Sequence, residues 1–335
     1  MKIINEELGV NGLLQDLRIA RYRFVLEAGE QGLDLPPFKS SAFRGGFGHV
    51  FKSLTCKHPG VECGACEIQH SCPYVYVFET KPPADSKVLK NFENVPRPYV
   101  IVTRFDDQKM RFSPGERLSF ELMVFGDAIE YAPFFIYSFD RLGDVGIGKQ
   151  RRPYRLVRVE ALDQVNGLAF EVYDGKSRRI RQHDYTLNGS DLEARAAKVK
   201  GADGVTVSFE TPLRMKSKGS YTSDPQFHLL VRNAVRRVTS LLYFHHGGKE
   251  LSMDYASFFK RAEAIELVEN KTRWVDWDRY SARQDKKMSF GGLVGEAEYR
   301  GDISEFVPWL LAAEELHMAK QTAFGLGKIR AVYTV

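Results

Sequence analysis

The segment that decides the fold is Pro308–Val335, which reads PWLLAAEELHMAKQTAFGLGKIRAVYTV. It predicts a helix, then the glycine loop Phe324–Lys328, then a strand whose apolar residues alternate with polar ones. Tyr131–Ala161 shows the same order, with a helix, a loop of three glycines ending in Lys149, and a basic strand. Each half of the chain therefore ends with a helix, a glycine loop, a lysine and a strand.

Alternating apolar residues recur along the whole sequence, which indicates strands with one polar and one buried face. The first such strand is formed around Ala20, Tyr22, Phe24 and Leu26. Helical patterns interrupt the strands at Ser40–Leu54, Phe227–Phe244 and Asp302–His317. A β-α-β-β-α-β order fits each half, and the sequence therefore predicts an α+β protein of two tandem ferredoxin-like (RRM-like) domains.

The polar stretch Asp184–Gly204 separates the two patterns. We therefore expect an N-terminal domain over residues 1–195 and a C-terminal domain over residues 200–335. The first would carry a cysteine loop at 55–75, and the second the glycine-rich loop at 323–328. A length of 335 residues agrees with two domains, and 43% hydrophobic residues can form buried cores.

Charge and hydropathy narrow the range of partners. The net charge of +5 and the pI of about 8.8 permit a polyanionic partner without requiring one. The apolar runs are too short to cross a bilayer, and the first residues lack the apolar segment of a secretory signal. We therefore expect a cytoplasmic protein with no membrane partner.

The four cysteines fall in one short block, Cys56-x6-Cys63-x2-Cys66-x5-Cys72. In a cytosolic chain this spacing predicts a structural metal site rather than disulfides. Four thiolates suit a 4Fe–4S cluster or tetrahedral zinc, and the cluster is slightly favoured. The reason is that the spacing, with its Cys-Pro-Tyr ending, resembles the iron–sulfur loop of helix-hairpin-helix DNA glycosylases. An iron–sulfur DNA-repair enzyme is thus one alternative, but the chain lacks a helix-hairpin-helix pattern and is rich in strands.

A more extensive resemblance covers most of the chain. His317–Lys328 resembles the C-terminal signature of the RAMP-type CRISPR endoribonucleases, the sixth CRISPR-associated protein family. Phe43–His49 (FRGGFGH) resembles the family's first-helix motif, and the four-cysteine block matches a subset of the family. Phe209–Lys216, followed by a basic helix, resembles its central motif.

This resemblance implies two ferredoxin-like domains and metal-independent cleavage of CRISPR precursor RNA, with no cofactor needed for catalysis. The 2′-hydroxyl would attack the adjacent phosphate and leave 2′,3′-cyclic phosphate and 5′-hydroxyl ends. The implied partners are CRISPR repeat RNA, the processed crRNA and subunits of an effector complex, whereas the oligomeric state is left open. The alternative is a RAMP subunit of such a complex that binds RNA without cutting it.

The expected reaction needs a base, an acid and positive charge at the phosphate. His49 and Lys52 share the polar face of the first predicted helix and are the main candidates. The family often adds a tyrosine, for which Tyr22 on the preceding strand is the candidate. His317 and Lys320, beside the glycine loop, are held in reserve.

Basic clusters and the glycine loop supply the predicted RNA contacts, because lysine and arginine meet phosphates and glycine N–H groups can form an anion nest. Packing or a solvated helix face remains the alternative for each of them. The predicted RNA-binding residues are Arg44, Lys149, Arg214, Lys216, Arg232, Arg236, Arg237, Gly325, Gly327, Lys328 and Arg330. Trp274, Trp277 and Tyr280 could stack on bases or pack locally. His245 and His246 suit a helix C-terminus.

Overall fold

The computed structural model describes residues 14–82, 86, 95–183, 185–248, 253–276, 278–281 and 286–335. The strands of the first half are β1 (Arg18–Ala28), β2 (Leu33–Asp34), β3 (Tyr99–Val102), β4 (Arg111–Phe112), β5 (Arg117–Phe125), β6 (Tyr154–Asp163), β7 (Leu168–Asp174), β8 (Arg179–Ile180) and β9 (Thr186–Asn188). Its helices are α1 (Lys39–Thr55), α2 (Pro73–Phe78), α3 (Ala132–Val145) and α4 (Gly189–Ala197).

The second half has the same mixture of helices and strands. Its strands are β10 (Gly204–Leu213), β11 (Lys216–Ser217), β12 (Ser220–Tyr221), β13 (Glu266–Asn270), β14 (Arg273–Val275), β15 (Asp278–Ser281), β16 (Lys286–Ser289), β17 (Gly292–Arg300) and β18 (Ile329–Thr334). Its helices are α5 (Phe227–His245), α6 (Tyr255–Ala262) and α7 (Val307–Leu316).

The two main sheets have equivalent topologies. The strand order is β3-β5-β1-β6 in the first and β13-β17-β10-β18 in the second, with antiparallel neighbours throughout. In chain order, α1 follows β1 and α3 follows β5 in the first unit, and α5 follows β10 and α7 follows β17 in the second. This is the ferredoxin-like connection. The predicted α+β fold of two tandem ferredoxin-like domains is confirmed. The first sheet continues beyond this unit through β7 and β8.

The limits 1–195 and 200–335 stay a prediction, but the packing around them is clear. β9 pairs with the start of β1 and so extends the first sheet. α4 follows directly, and its Leu192 is buried in the apolar core of the second half. Arg195 of the same helix forms an ion pair with Glu315 on α7, with 2.7 Å between the charged atoms.

The first core lies between the inner face of the first sheet and the helices α1 and α3. It is largely aromatic, because the alternating residues of β1 and β5 meet phenylalanines on both helices. The ring of Phe43 stacks on that of Phe120 at 4.3 Å, and Phe47 stacks on Phe139 at 4.9 Å. The apolar stripe that predicted α1 is therefore the face that the helix buries.

The outer face of the first sheet is also partly buried, against the second half. Ile19, Met123 and Phe125 belong to the same apolar cluster as α5 and α7. Burial of apolar surface contributes about 25 cal/mol of stabilising free energy for each Å² removed from water. The two halves therefore share one apolar cluster at their junction, the shared core, and moving them apart would expose it.

Arg237 of α5 lies inside this shared core with only 5% of its surface exposed. Its guanidinium donates to the backbone oxygens of Leu316 and His317, which end α7, at 3.1 to 3.2 Å. It also lies 5.5 Å from the ring centre of Phe125. Burial lowers its pKa to about 9. The prediction that Arg237 contacts RNA is wrong, because this cation is enclosed and satisfies helix-end carbonyls.

Two histidines at the end of α5 join the halves by hydrogen bonds. His245 is fully buried, donates to the oxygen of Pro96 at 2.8 Å, and accepts from the hydroxyl of Tyr76 at 3.1 Å. His246 accepts from the backbone N–H of Arg18 at 3.0 Å. Burial lowers the pKa of His245 to about 3, so it is neutral. Its role is a neutral bridge rather than a charged helix cap.

The glycine loop is packed into the junction between the halves. The N–H groups of Gly325 and Gly327 donate to the oxygens of Thr322 and Pro212, and that of Lys328 donates to the hydroxyl of Thr211. These donors are therefore occupied, and the predicted open anion nest is wrong for them.

Glycine is required in the loop for two physical reasons. Gly325 and Gly327 have φ angles of +82° and +75°. A Cβ at Gly325 would lie 2.6 Å from the oxygen of Ile101 on β3, and one at Gly327 would lie 1.8 Å from the oxygen of Met318. The hydroxyl of Ser40 on α1 donates to the oxygen of Phe324 at 2.7 Å. The loop thus fastens α1 and β3 to the second domain.

We expect Gly327→Ala to lower the free energy of unfolding by at least about 3 kcal/mol, because it adds a backbone clash to an unfavourable φ. Gly201→Ala is the matched control, since Gly201 has a φ of +84° and open space around its Cβ position. The control should cost only about 1 kcal/mol. Urea denaturation measures both, and equal losses would contradict the clash.

We expect stability to fall as the pH drops below 6.5, the ordinary pKa of histidine, towards the folded pKa of His245, about 3. The unfolded imidazole gains a proton in this window and the folded one does not, so acid favours unfolding. His245→Gln should remove about 1.4 kcal/mol per pH unit from the slope between pH 6 and 4. Urea titrations at several pH values measure it, and an unchanged slope would refute the assignment.

Candidate functional site

The outer face of α1 carries the main catalytic candidates. His49 is exposed and points away from the core that holds Phe43 and Phe47. Lys52, one turn further on, is half-buried, and its Nζ lies 5.0 Å from the ring centre of Tyr74 on α2. The predicted shared polar face of the histidine and the lysine is present in the structure.

Tyr22 is not near this face. It lies on β1 and packs with Phe24 in the first core, beneath α1, whereas His49 lies on the outer face of that helix. Tyr74 is instead the tyrosine beside Lys52, and its hydroxyl donates to Glu79 at 3.3 Å. Sequence reasoning missed Tyr74, because the cysteine loop separates it from α1 and no periodic pattern links the two helices.

Arg44, at the start of α1, joins this face to the glycine loop. Its guanidinium carbon lies 5.0 Å from the ring centre of Phe324 and 6.0 Å from that of Phe78. Its Nε is buried and has no hydrogen-bond partner within the described part of the chain. Arg97 lies close enough that its charge and that of Arg44 repel, and burial lowers the pKa of Arg97. Two clustered guanidiniums attract an anion at this point.

A cleft of 720 Å³ separates the outer face of the first sheet from the start of the second domain. Its cations are ion-paired: Arg21 lies 2.6 Å from Glu121, and Lys328 lies 2.5 Å from Glu210. Arg23 also contacts Glu121 at 3.3 Å. The cleft is thus a groove of balanced charge, and Lys328, a predicted RNA contact, lies in it.

The remaining predicted RNA contacts lie on several surfaces. Arg214 donates to the oxygen of Gly291 at 2.5 Å and, with Lys216, lies over the ring of Tyr221. Arg232 lies 3.4 Å from Glu263 near α6. Three further cations are exposed: Lys149, Arg236 and Arg330. Arg214 therefore braces local structure, and no single basic patch unites the set.

His317 and Lys320, the reserve catalytic candidates beside the glycine loop, differ in exposure. His317 is 1% exposed, and its Nδ1 donates to the oxygen of Leu326 at 3.3 Å. Burial lowers its pKa to about 3, which makes it a neutral structural group rather than a proton donor near neutral pH. Lys320 is exposed. The structure contradicts a catalytic role for His317.

The cysteine loop connects the end of α1 to the start of α2. Residues 56–71 are all exposed or half-buried, and Cys56, Cys63 and Cys66 are among the half-buried ones. Cys72, the next residue, is buried. The Sγ of Cys66 lies 3.7 Å from Nδ1 of His58. In the described ranges no group of three His, Cys, Asp or Glu side chains is arranged to hold a metal ion. The four-thiolate donor set fits iron–sulfur or zinc chemistry, and the loop has no core of its own.

Trp277 and the side chain of Tyr280 lie outside the described residues. The indole of Trp274 donates to Asp276 at 2.9 Å. Among the described residues no helix is long and apolar enough to span a membrane.

Comparison with known proteins identifies both halves of the chain. A family model described as the AF_1859 N-terminal domain matches residues 17–185, and the model of the CRISPR-associated endoribonuclease Cas6 matches residues 207–329. A protein of Archaeoglobus fulgidus described as uncharacterized is 26% identical over 305 residues, which cover 88% of this chain and 92% of that protein.

Solved structures share the fold at low sequence identity. Cas6 of Thermus thermophilus has a TM-score of 0.53 and 16% identity, with 94% of this chain and 99% of that chain covered. A Cas6-RT-Cas1–Cas2 complex has a TM-score of 0.57 and 12% identity, with 96% of this chain and 30% of that chain covered. The chain therefore joins an AF_1859 N-terminal domain over residues 17–185 to a segment, residues 207–329, that matches the Cas6 endoribonuclease model, and it shares the tandem fold of Cas6 structures.

Proposed function

We propose that this protein binds CRISPR repeat RNA and cuts precursor crRNA through side chains on the outer face of α1. Residues 207–329 match the model of the CRISPR-associated endoribonuclease Cas6, which supports RNA cleavage as the general activity. The observation that carries the more specific proposal is the exposed His49 next to the Lys52–Tyr74 pair. This face presents a group that can transfer protons beside a cation that is held in position.

The proposed chemistry uses only these side chains. His49 takes the proton of the 2′-hydroxyl as the base and then, as an imidazolium, gives a proton to the leaving 5′-oxygen. Lys52 neutralises the phosphate as the 2′-oxygen attacks it, and the Tyr74 ring holds the ammonium in place. The bond to the 5′-oxygen breaks, which gives a 2′,3′-cyclic phosphate and a 5′-hydroxyl. No step requires a metal.

Arg44 would hold a neighbouring phosphate. Its Nε is buried and has no partner in the described structure, and a phosphate oxygen would supply one. Arg44 lies five residues before His49 on α1, which is about 7.5 Å along the helix axis and about 140° around it, so an RNA that meets both must wrap around the helix. A purely RNA-binding role would need Arg44 but not His49, and this difference separates the enzyme from a non-cutting subunit.

We also propose that Cys56, Cys63, Cys66 and Cys72 hold a structural metal, with a 4Fe–4S cluster favoured over zinc. Such a centre would supply cross-links to a loop that buries none of its residues between 56 and 71. Cys66 and His58 already contact each other across the loop. The centre takes no part in RNA cleavage.

We expect the pure protein to cut a CRISPR repeat RNA at one position in EDTA, and His49→Ala to slow cutting at least about 100-fold through loss of proton transfer. RNA affinity should stay within a few-fold. His70→Ala is the matched control, since His70 is exposed in the cysteine loop and should be silent. Gel assays and end-group analysis give the rate and products. Normal cutting by His49→Ala would disprove its role, and tight binding without any cutting would indicate a non-catalytic subunit.

We expect Cys66→Ser to lose the bound metal and to lower the Tm by about 5 °C or more, because a ligand of the loop is missing. Glu67→Gln, an exposed neighbour in the same loop, should change neither quantity. Iron, zinc and sulfide analysis of anaerobically purified protein, together with thermal melting, makes the comparison. A stable Cys66→Ser protein with its full metal content would refute the proposal.

A further inference from the structure

The first sheet ends in an extension that lies outside the ferredoxin-like unit. β8 is its outermost strand, paired with β7 through Tyr173–Ile180 and Asp174–Arg179. The pairing continues past the strand, because the N–H of Arg181 donates to the oxygen of Val172 at 2.8 Å. Residues at every second position of this edge therefore share one face of the sheet.

That face carries cations followed by stacked rings. Arg179, Arg181 and His183 occupy alternate positions and are all exposed. The rings of Phe170 and Tyr185 lie 4.1 Å apart and only 4° from parallel. The His183 ring lies 5.6 Å from Tyr185 at an angle of 20°. We name these five residues the edge strip.

The cations of the edge strip differ from those of the central cleft. Arg21, Arg23 and Lys328 are each paired with a glutamate, whereas neither Arg179 nor Arg181 forms an ion pair among the described residues. Asp174 lies opposite Arg179 in the β7–β8 register. Its carboxylate accepts hydrogen bonds from the backbone N–H groups of Lys176 and Ser177 instead. The two guanidiniums are therefore available to an external anion.

We propose that the edge strip binds an unpaired segment of RNA, with bases on the ring stack and phosphates on Arg179 and Arg181. Parallel rings next to cations are the arrangement by which proteins hold single-stranded nucleic acid with little sequence preference. This proposal deepens the proposed function, because it assigns a second contact to an RNA that would be cut at α1. The strip itself has no role in the chemistry.

A fluorescent oligouridine tests the strip without the repeat sequence. Arg179→Glu/Arg181→Glu should weaken its binding at least about ten-fold and lower the salt slope of log Kd by about two. The matched control is Lys198→Glu/Lys200→Glu, which makes the same charge change at two exposed lysines and should weaken binding no more than about two-fold. An equal effect of the two pairs would overturn the proposal.

Tyr185→Leu and Tyr185→Phe separate stacking from folding. The leucine variant should weaken oligouridine binding about five-fold or more, and the phenylalanine variant should bind like the wild type. Thermal melting of both reports the fold. If neither the leucine nor the glutamate variants change the affinity for oligouridine, the proposal fails. A protein partner would then be the occupant to test for the strip.

Cleavage of repeat RNA by the same variants distinguishes this proposal from the proposed function. The glutamate and leucine variants should cut more slowly at limiting RNA, in proportion to their loss of affinity, whereas the Lys198→Glu/Lys200→Glu control should cut at the wild-type rate. A wild-type protein that binds oligouridine through the strip but never cuts repeat RNA would leave the strip standing and remove the enzyme. Normal cutting together with oligouridine binding that does not depend on the strip would support the enzyme and overturn the strip proposal.

Discussion

The shared core between the two halves is the constraint on which the rest of the structure depends. Ile19, Met123 and Phe125 make the outer face of the first sheet apolar, and α5 and α7 cover it. Each unpaired polar group enclosed there costs about 1–3 kcal/mol, so a buried guanidinium or imidazole requires hydrogen-bond partners. Arg237 and His245 meet that requirement by bonding carbonyls at helix ends and loops. Their position leaves them no contact with an external ligand.

The same junction determines what each surface can do. The N–H groups of the glycine loop donate to acceptors in the second half of the chain, so the loop does not form a phosphate-binding nest. Instead Phe324 of the loop packs against Arg44 on α1. The cleft beside it is balanced in charge, because glutamates on β5 and β10 pair with its cations. Cations without such partners lie further out, on α1 and at the edge of the first sheet. We therefore infer that RNA meets the protein mainly on its outer faces.

Particular residues show where sequence reasoning succeeds. The stripe of Phe43 and Phe47 predicted both the helix α1 and its buried side, and the exposure of His49 followed from it. The same reasoning failed for Tyr22, Arg237 and His317. Each looks polar and catalytic or basic in the sequence, but the folded protein leaves no more than 7% of each of them exposed. Tyr74 was missed because only the packing of α2 on α1 brings it to Lys52.

The sequence by itself determined the tandem α+β architecture, the ferredoxin-like order of each half and the resemblance to CRISPR endoribonucleases, because periodicity and short motifs are local properties of the chain. Only the tertiary structure decided which cations are exposed and which are enclosed. That outcome depends on how two sheets and their helices share one core, and burial changes the charge and reach of a side chain without leaving a local pattern. Arg236 and Arg237 are neighbours in the sequence, and yet one is exposed and the other is buried at 5%.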